Sequence, residues 1–121
     1  MQISEAAKKT GLSVSAIRFY ERRSIVRRPR REGRNRDYSD EDLRALHFVR
    51  RARALGMPLR DIAGILHRPW AEGEMAGKVS EHRQTIQAQI EALRRMDDAL
   101  SRLETCKCHG VHDCELANGD D

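Results

Sequence analysis

The stretch "ISEAAKKTGLSVSAIRFYER", residues 3–22, holds the pattern from which the fold can be predicted. Ser4 can cap a helix over Glu5–Thr10, and Gly11 can supply the left-handed residue that commonly ends a helix. Ser13 can then cap a second helix over Val14–Arg22. Two short helices joined by a glycine-containing turn are typical of the helix-turn-helix motif.

The second helix of this motif carries polar side chains that suit base edges and phosphates in a DNA major groove, namely Ser13, Ser15, Arg18 and Tyr20. Residues 27–36, which follow it, contain six arginines and one glutamate. Ile25–Val26 and Asp37–Tyr38 flank a turn in this segment, which predicts a two-stranded wing. Each arginine on such a wing can neutralise a phosphate, so the predicted backbone contacts are Arg27, Arg28, Arg30, Arg31 and Arg34.

The distribution of charge agrees with a polyanion-binding first half. Residues 1–60 hold 16 Lys and Arg against 7 Asp and Glu, whereas residues 61–121 hold 7 against 12. The chain has 121 residues and only 4% aromatic residues, which favours a small helical protein over a β-sandwich or barrel. No apolar run approaches the ~20 residues of a membrane span, and no apolar signal segment is evident, so we expect a cytoplasmic protein.

After the wing, Ser39 and Asp42 form an approximate capping box that opens a helix over Asp40–Leu55, ending at Gly56. Pro58 suits the first position of the short amphipathic helix that follows. From about Met75 to Glu104, apolar residues recur at alternating steps of three and four, which predicts a coiled-coil helix. Its seam is Val79, His82, Ile86, Gln89, Leu93, Met96, Leu100 and Leu103. An antiparallel pair of such helices would bury the seam and give a homodimer with the two-fold symmetry of many DNA-binding proteins.

All three cysteines lie in "CKCHGVHDC", residues 106–114, together with two histidines. In a reducing compartment, clustered cysteines favour metal binding or redox chemistry over structural disulfides. Thiolates prefer soft ions such as Cu(I) and Zn(II), and three thiolates with one histidine would complete a tetrahedral zinc site. The candidate ligands are Cys106, Cys108, His109, His112 and Cys114.

Taken together, these motifs resemble those of the MerR family of bacterial transcriptional regulators, over nearly the whole chain. The resemblance rests on "ISEAAKKTGLSVSAIRFYE", "RNRDYSDEDL" and "ARALGMPLRDI". It implies that Arg18 and Tyr20 are recognition-helix contacts and that Arg36 and Tyr38 are wing contacts. Ser24 departs from the family pattern, which has glycine there, and serine tolerates a left-handed turn less well. The resemblance also implies a dimer that distorts an overlong promoter spacer so that RNA polymerase can engage both promoter elements.

The cysteine spacing leaves the effector open. The seven residues between Cys106 and Cys114 resemble the copper-, silver- and gold-sensing branch of the family. The divalent-metal branch adds a cysteine near the position of Glu72, where this chain has none. The three cysteines also match three of the four iron–sulfur ligands of the SoxR branch, with Leu103 at the fourth position. A [2Fe–2S] cluster would then need a histidine ligand, and a thiol switch at the C-x-C pair is the remaining alternative.

The predicted fold is therefore all-α with a small β wing, a winged helix-turn-helix domain followed by a long antiparallel coiled-coil dimerisation helix. The predicted segments are a DNA-binding domain at 1–68, a linker at 69–74, the dimerisation helix at 75–105 and a metal-binding loop with its tail at 106–121. We expect a metal-responsive activator that binds double-stranded promoter DNA and one soft ion per protomer. No phosphate loop or paired nucleophile and base points to an enzyme, whereas a metal-storage protein would not need the arginine wing.

Overall fold

A computed structural model describes residues 1–33 and 35–119, so the predicted phosphate contact Arg34 lies outside the described residues. Two compact units are present, Met1–Met75 and the residues from Ala76 onward. The first unit contains α1 (Ile3–Thr10), α2 (Val14–Arg22), β1 (Arg30–Glu32), β2 (Asn35–Asp37), α3 (Asp40–Ala54) and α4 (Leu59–Leu66). Helix α5 (Glu74–Leu103), a 3-10 helix (Val111–Asp113) and α6 (Glu115–Asn118) follow.

The helix-turn-helix forms much as the local chemistry predicts. The Ser13 side chain accepts a hydrogen bond from Ala16 N at 3.0 Å, and Gly11 has the left-handed φ of 77°. The predicted Ser4 cap is wrong. The backbone amides of Glu5 and Ala6 both donate to Gln2 O, at 3.1 and 3.0 Å, so α1 begins at Ile3 and Ser4 lies inside it.

The wing is a two-stranded antiparallel sheet in which Arg30 pairs with Asp37 and Arg31 with Arg36. Its strands lie nearer the tip than the sequence predicts. The backbone amides of Ile25 and Val26 donate to Tyr20 O, at 2.9 and 3.4 Å, instead of joining the sheet. These two residues are buried and connect the end of α2 to the core.

The core of the first unit lies among α1, α2, α3 and α4. Its most completely buried aliphatic side chains are Ile17, Leu46, Val49, Ile62 and Ile65. Helix α3 opens with the predicted capping box, in which Asp42 N donates to Ser39 Oγ and Ser39 N donates to Asp42 Oδ2. Pro58 is the residue just before α4, one position earlier than predicted.

Trp70 closes the end of this unit, because its indole Nε1 donates to Ile65 O at 2.8 Å and its ring lies 5.8 Å from the Phe48 ring.

The second unit is dominated by α5, a helix of 30 residues that contains no buried residue. Most of its predicted seam is exposed within the single chain, including Val79, Leu93, Met96 and Leu100. Ile90, which lies off the predicted seam, is exposed as well. The small wing and long C-terminal helix confirm the predicted fold class.

Candidate nucleic-acid interface and thiol loop

The recognition helix α2 presents three of the four predicted DNA contacts to solvent. Ser13, Ser15 and Arg18 are exposed, and the Ser13 and Ser15 hydroxyls lie 3.1 Å apart. Tyr20 departs from the prediction, because it is half-buried and packs against the core. Phe19 is exposed instead, beneath the guanidinium of Arg23, whose Cζ lies 5.6 Å from the ring centroid. This aromatic contact was missed from sequence.

The arginines before and within β1 form a basic surface. Arg27, Arg28, Arg30 and Arg31 are all exposed. Arg27 donates to Glu41 at 3.2 Å, but both side chains are largely in water, where such pairs contribute at most about 1 kcal/mol. A phosphate can therefore replace Glu41 as the partner of Arg27 at little cost.

Arg36 and Tyr38 occupy a different environment from the one predicted for exposed wing contacts. Tyr38 is only 3% exposed, and its hydroxyl donates to both carboxylate oxygens of Glu21, at 3.2 and 3.0 Å. Arg36 donates to the same carboxylate at 2.6 and 2.9 Å. The prediction that Tyr38 touches DNA is corrected, because its hydroxyl lies in the core against Glu21. Arg36 already has a buried anionic partner.

This Glu21 cluster, defined as Glu21, Arg36 and Tyr38, joins the last turn of α2 to β2. Burial raises the pKa of Tyr38 to about 12; the Glu21 carboxylate acts in the same direction, whereas the Arg36 guanidinium acts against it. A buried carboxylate with a cation and a hydroxyl donor on it is costly to disrupt. We conclude that the cluster fixes the wing relative to the recognition helix. Glu21 was missed from sequence, where the only signal is an acidic residue in a strongly basic stretch.

Ser24, at the position where the resemblance implies a glycine, lies at the junction between α2 and the wing. It has a φ of 56°, and it is the one non-glycine residue with a positive φ in residues 1–33 and 35–119. Its backbone amide donates to Glu21 O at 3.1 Å. The chain therefore keeps the left-handed turn that glycine usually allows, with a serine in it.

The C-terminal loop is organised by Asp113, which is not among the predicted ligands. Its carboxylate accepts from His109 N at 3.2 and 3.1 Å and from Gly110 N at 3.1 Å. Asn118 closes the other side by donating to His112 O at 2.8 Å and to Cys114 O at 2.9 Å. Short polar side chains that bond nearby backbone are the usual device for holding a tight loop.

The three cysteines line one depression of about 290 Å³, together with Leu103, Asp113 and Glu115. We call it the thiol depression. Cys106 and Cys108 are paired as a disulfide with Cα atoms 5.6 Å apart, and Cys108 Sγ lies 3.5 Å from Asp113 O, next to Cys114. Cys114 is a free thiol and is half-buried. Neither of the predicted ligands His109 and His112 is among the residues lining the thiol depression.

The sulfurs have the chemistry that soft ions require, but they are not arranged as a finished site. In the described part of the chain, no group of three or more His, Cys, Asp or Glu side chains is positioned to hold an ion. Binding by all three thiolates would therefore require the Cys106–Cys108 pair in its reduced form. Nor is any helix of the described chain long and apolar enough to cross a membrane.

Comparison with known proteins adds independent findings. Residues 1–68 match the family described as "MerR HTH family regulatory protein", and residues 43–103 match the one described as "MerR, DNA binding". A SoxR homologue of Chromobacterium violaceum, an HTH-type transcriptional activator, is 34% identical over 98% of this chain and 84% of its own length. The transcriptional regulator ZntR of Escherichia coli K12 is 34% identical over 92% of this chain and 83% of its own.

Two solved structures extend the likeness. The transcription regulator PbrR691 of Ralstonia metallidurans, crystallised with lead(II), is 31% identical with a TM-score of 0.79, over 98% of this chain and 97% of its own. HiNmlR, a MerR-family regulator without a sensor domain that was crystallised on promoter DNA, is 28% identical with a TM-score of 0.57, over 81% of this chain and 78% of its own.

Proposed function

We propose that this chain, which belongs to the MerR family of helix-turn-helix regulatory proteins, controls transcription in response to a soft metal ion bound by its C-terminal thiols. Its curated relatives are regulators of transcription, so the expectation that it is not an enzyme is confirmed. The observation that carries the proposal is that one short chain has both a surface suited to DNA and a group of cysteines suited to a soft ion. An exposed basic surface follows a recognition helix, and three cysteines line one depression.

The DNA-binding part of the proposal uses the exposed residues of α2 and the wing. Ser13, Ser15 and Arg18 would read base edges and adjacent phosphates, and the exposed wing arginines would neutralise phosphates. Arg36 and Tyr38 would act by holding the wing through Glu21, rather than by touching the duplex. We propose a homodimer formed through the apolar stripe of α5, with one C-terminal loop in each protomer.

The effector would be one ion per protomer held by thiolates of residues 106–114, in the Cu(I) or Zn(II) class that the sequence predicts. Related proteins support a metal ion as effector: PbrR691 was crystallised with lead(II), and a relative of Rhizobium meliloti that is 35% identical is a heavy metal-dependent transcription regulator. Ion binding would order the loop and favour a dimer conformation that bends and untwists the promoter for RNA polymerase.

A second candidate function, a redox sensor with a [2Fe–2S] cluster, is favoured by one observation. Leu103, which aligns with the fourth cysteine of the SoxR branch, lines the thiol depression beside the three cysteines. A cluster in this chain would therefore lack its fourth sulfur and would need a histidine from outside the depression. Anaerobic purification followed by iron, sulfide and metal analysis with a visible spectrum separates the two. A brown protein with iron and sulfide would replace the metal-sensor proposal.

The experiment that tests the function uses the full chain and DNA fragments that it selects from its source genome. Transcription from the selected promoter is measured with and without Cu(I) or Zn(II), for the native chain and for Cys106→Ser with Cys114→Ser. We expect both to bind the promoter, and only the native chain to change transcription with metal.

The matched control removes two wing arginines and leaves the cysteines in place. Arg30→Ala with Arg31→Ala should weaken binding to all duplexes and reduce the slope of log K against log salt by about 0.9 for each phosphate that the variant no longer neutralises. Equal metal response of the native chain and the cysteine variant would overturn the proposal.

A further inference from the structure

The residues that line the thiol depression include all three cysteines and neither histidine of the loop. Cys106, Cys108 and Cys114 line it, whereas His109 and His112 do not. Asp113 also lines it, but its carboxylate already accepts hydrogen bonds from two backbone amides of the loop. As a ligand it would bind the ion in competition with the hydrogen bonds that shape the loop. The loop therefore offers three ligands of one kind.

Three sulfurs suit ions that bond to three ligands in a pyramid. A structural zinc site takes four ligands in a tetrahedron, and its usual fourth donor here would be a histidine. Trivalent arsenic and antimony carry a lone pair, form three bonds and are strongly attracted to sulfur. Three reduced cysteines without a histidine supply the number and the kind of ligands that these ions require.

The charges around the thiol depression favour a neutral complex. Arg102, Lys107, Asp113 and Glu115 line it, so its two cationic and two anionic side chains cancel. Three thiolates neutralise a trivalent ion fully, but they leave one negative charge on a divalent ion and two on Cu(I). The neutral complex is the one that requires no further counter-charge.

We propose that the thiol depression binds trivalent arsenic or antimony, supplied as the neutral hydroxide, through Cys106, Cys108 and Cys114 of one protomer. This inference rests on the proposed function, because it names the class of effector at the same loop. In the reaction, three S–H and three As–O bonds break, three S–As bonds form, and three water molecules leave. No electron is transferred. The Cys106–Cys108 disulfide must first be reduced, by a thiol or a phosphine.

The test counts sulfurs rather than regulatory activity. The full chain is reduced with a phosphine, freed of reductant and titrated with arsenite under argon. Free thiols are then counted with a chromogenic disulfide, and the intact mass is recorded. We expect one arsenic per protomer, protection of all three reactive thiols, and a mass gain of one arsenic less three hydrogens. An adduct held by only two thiolates keeps one hydroxyl, so it is heavier by one water and leaves one thiol reactive.

Matched variants assign the donors. His109→Ala with His112→Ala should bind arsenite with the same protection of three thiols, whereas Cys108→Ser should give only the heavier two-thiolate adduct. Unreduced protein is the second control and should not bind through Cys106 or Cys108. A reactive thiol remaining in arsenite-loaded native protein, or dependence on the histidines, would overturn the inference.

The two proposals fail differently. If arsenite does not protect three thiols but Cu(I) or Zn(II) still alters transcription through the cysteines, this inference is wrong and the proposed function stands. If no metal alters transcription although arsenite protects all three thiols, the proposed function is wrong.

Discussion

Isoleucines lie in opposite environments in the two units of this chain. In the first unit, Ile17 and Ile62 have no exposed surface, whereas Ile86 and Ile90 on α5 are 36% and 42% exposed. The first unit brings several helices around its apolar residues, and α5 has no buried residue within its own chain. Burying apolar surface stabilises a fold by about 25 cal/mol per Å², so the first unit is stabilised internally and α5 needs a partner. The first unit can therefore hold its proposed DNA contacts in place by its own packing, whereas the proposed dimer helix depends on association.

The largest expected effect comes from removing the same side chain in the two units. Ile62→Ala should lower the free energy of unfolding of the first unit by about 3–4 kcal/mol, because a fully buried aliphatic side chain leaves a cavity. Ile90→Ala is the matched control and should lower it by less than about 1 kcal/mol. Fluorescence of Trp70, the single tryptophan, reports the first unit during denaturant unfolding. Equal decreases would contradict the idea that the first unit is stabilised independently.

The second-largest effect should be on the dimer dissociation constant and not on the folding of the first unit. Leu93 is 61% exposed on the predicted seam, and Leu93→Ala removes it from both helices of the proposed pair. We expect the dimer dissociation constant to rise by about a hundredfold, or about 3 kcal/mol, with little change in unfolding of the first unit. Sedimentation at several concentrations measures the constant. Leu116→Ala, an exposed leucine off the seam, is the control; if it weakens the dimer equally, the seam is misassigned.

Two charged interactions, like the apolar residues, differ in burial, one being buried in the first unit and one exposed on α5, and we expect them to differ in stability accordingly. Glu21→Gln weakens a buried interaction with Arg36 and Tyr38, and should cost about 2–3 kcal/mol. Glu91→Gln removes the exposed pair with Arg95 on α5, 3.9 Å apart, and should cost no more than about 0.5 kcal/mol. The two variants are compared by denaturant unfolding, followed by Trp70 fluorescence and by helical circular dichroism. Glu21→Gln should also weaken DNA binding, since the wing loses its anchor; normal binding would show that the Glu21 cluster does not position the wing.

The sequence predicts those features that depend on residues close together in the chain, and it misses those that depend on residues far apart. The cap at Ser13, the left-handed Gly11 and the capping box of Ser39 depend on neighbours within four residues and were predicted correctly. The burial of Tyr38 depends on Glu21, 17 residues away, and nothing local distinguishes it from an exposed wing tyrosine. Ser4 failed for another reason, because Gln2 can open the helix through its backbone carbonyl alone.

The thiol loop was predicted in composition but not in arrangement. Its cysteines and histidines looked equivalent in the sequence, whereas only the cysteines line the thiol depression. Asp113 could have been found from its position three residues after Gly110, since an aspartate at that distance can accept from the amides of a turn. Which side chains then face inward depends on how the loop folds over the end of α5, and local spacing does not fix that.

Alkaline pH should lower the free energy of unfolding of the first unit by a smaller amount and leave α5 unaffected. Tyrosine in an unfolded chain ionises near pH 10, but the pKa of Tyr38 in the folded chain is about 12. The stability that the buried neutral phenol contributes is complete below pH 10 and is lost as the pH rises to about 12, because only the unfolded chain gives up the proton. Tyr38→Phe should cost about 1.5 kcal/mol at neutral pH and flatten this alkaline fall. Tyr20→Phe is the control and should retain the fall; if it flattens the curve instead, Tyr38 is not its cause.

The smallest expected effects are two gains in stability, one from introducing a glycine in the first unit and one from removing a glycine on α5. Ser24→Gly should raise the stability of the first unit by about 0.5–1 kcal/mol, since a left-handed backbone costs serine about 1 kcal/mol that glycine does not incur. On α5, Gly77→Ala should stabilise the helix by a similar amount, because alanine is the better helix former and a Cβ at Gly77 meets no atom within 4 Å beyond its chain neighbours and the adjacent helix backbone. Thermal unfolding read at Trp70 should shift only for Ser24→Gly, and helical circular dichroism should report the gain at Gly77. Ser24→Ala is the control and should give no gain. A shift at Trp70 from Gly77→Ala would show that α5 contributes to the stability of the first unit, and the separation of the two units would then have to be abandoned.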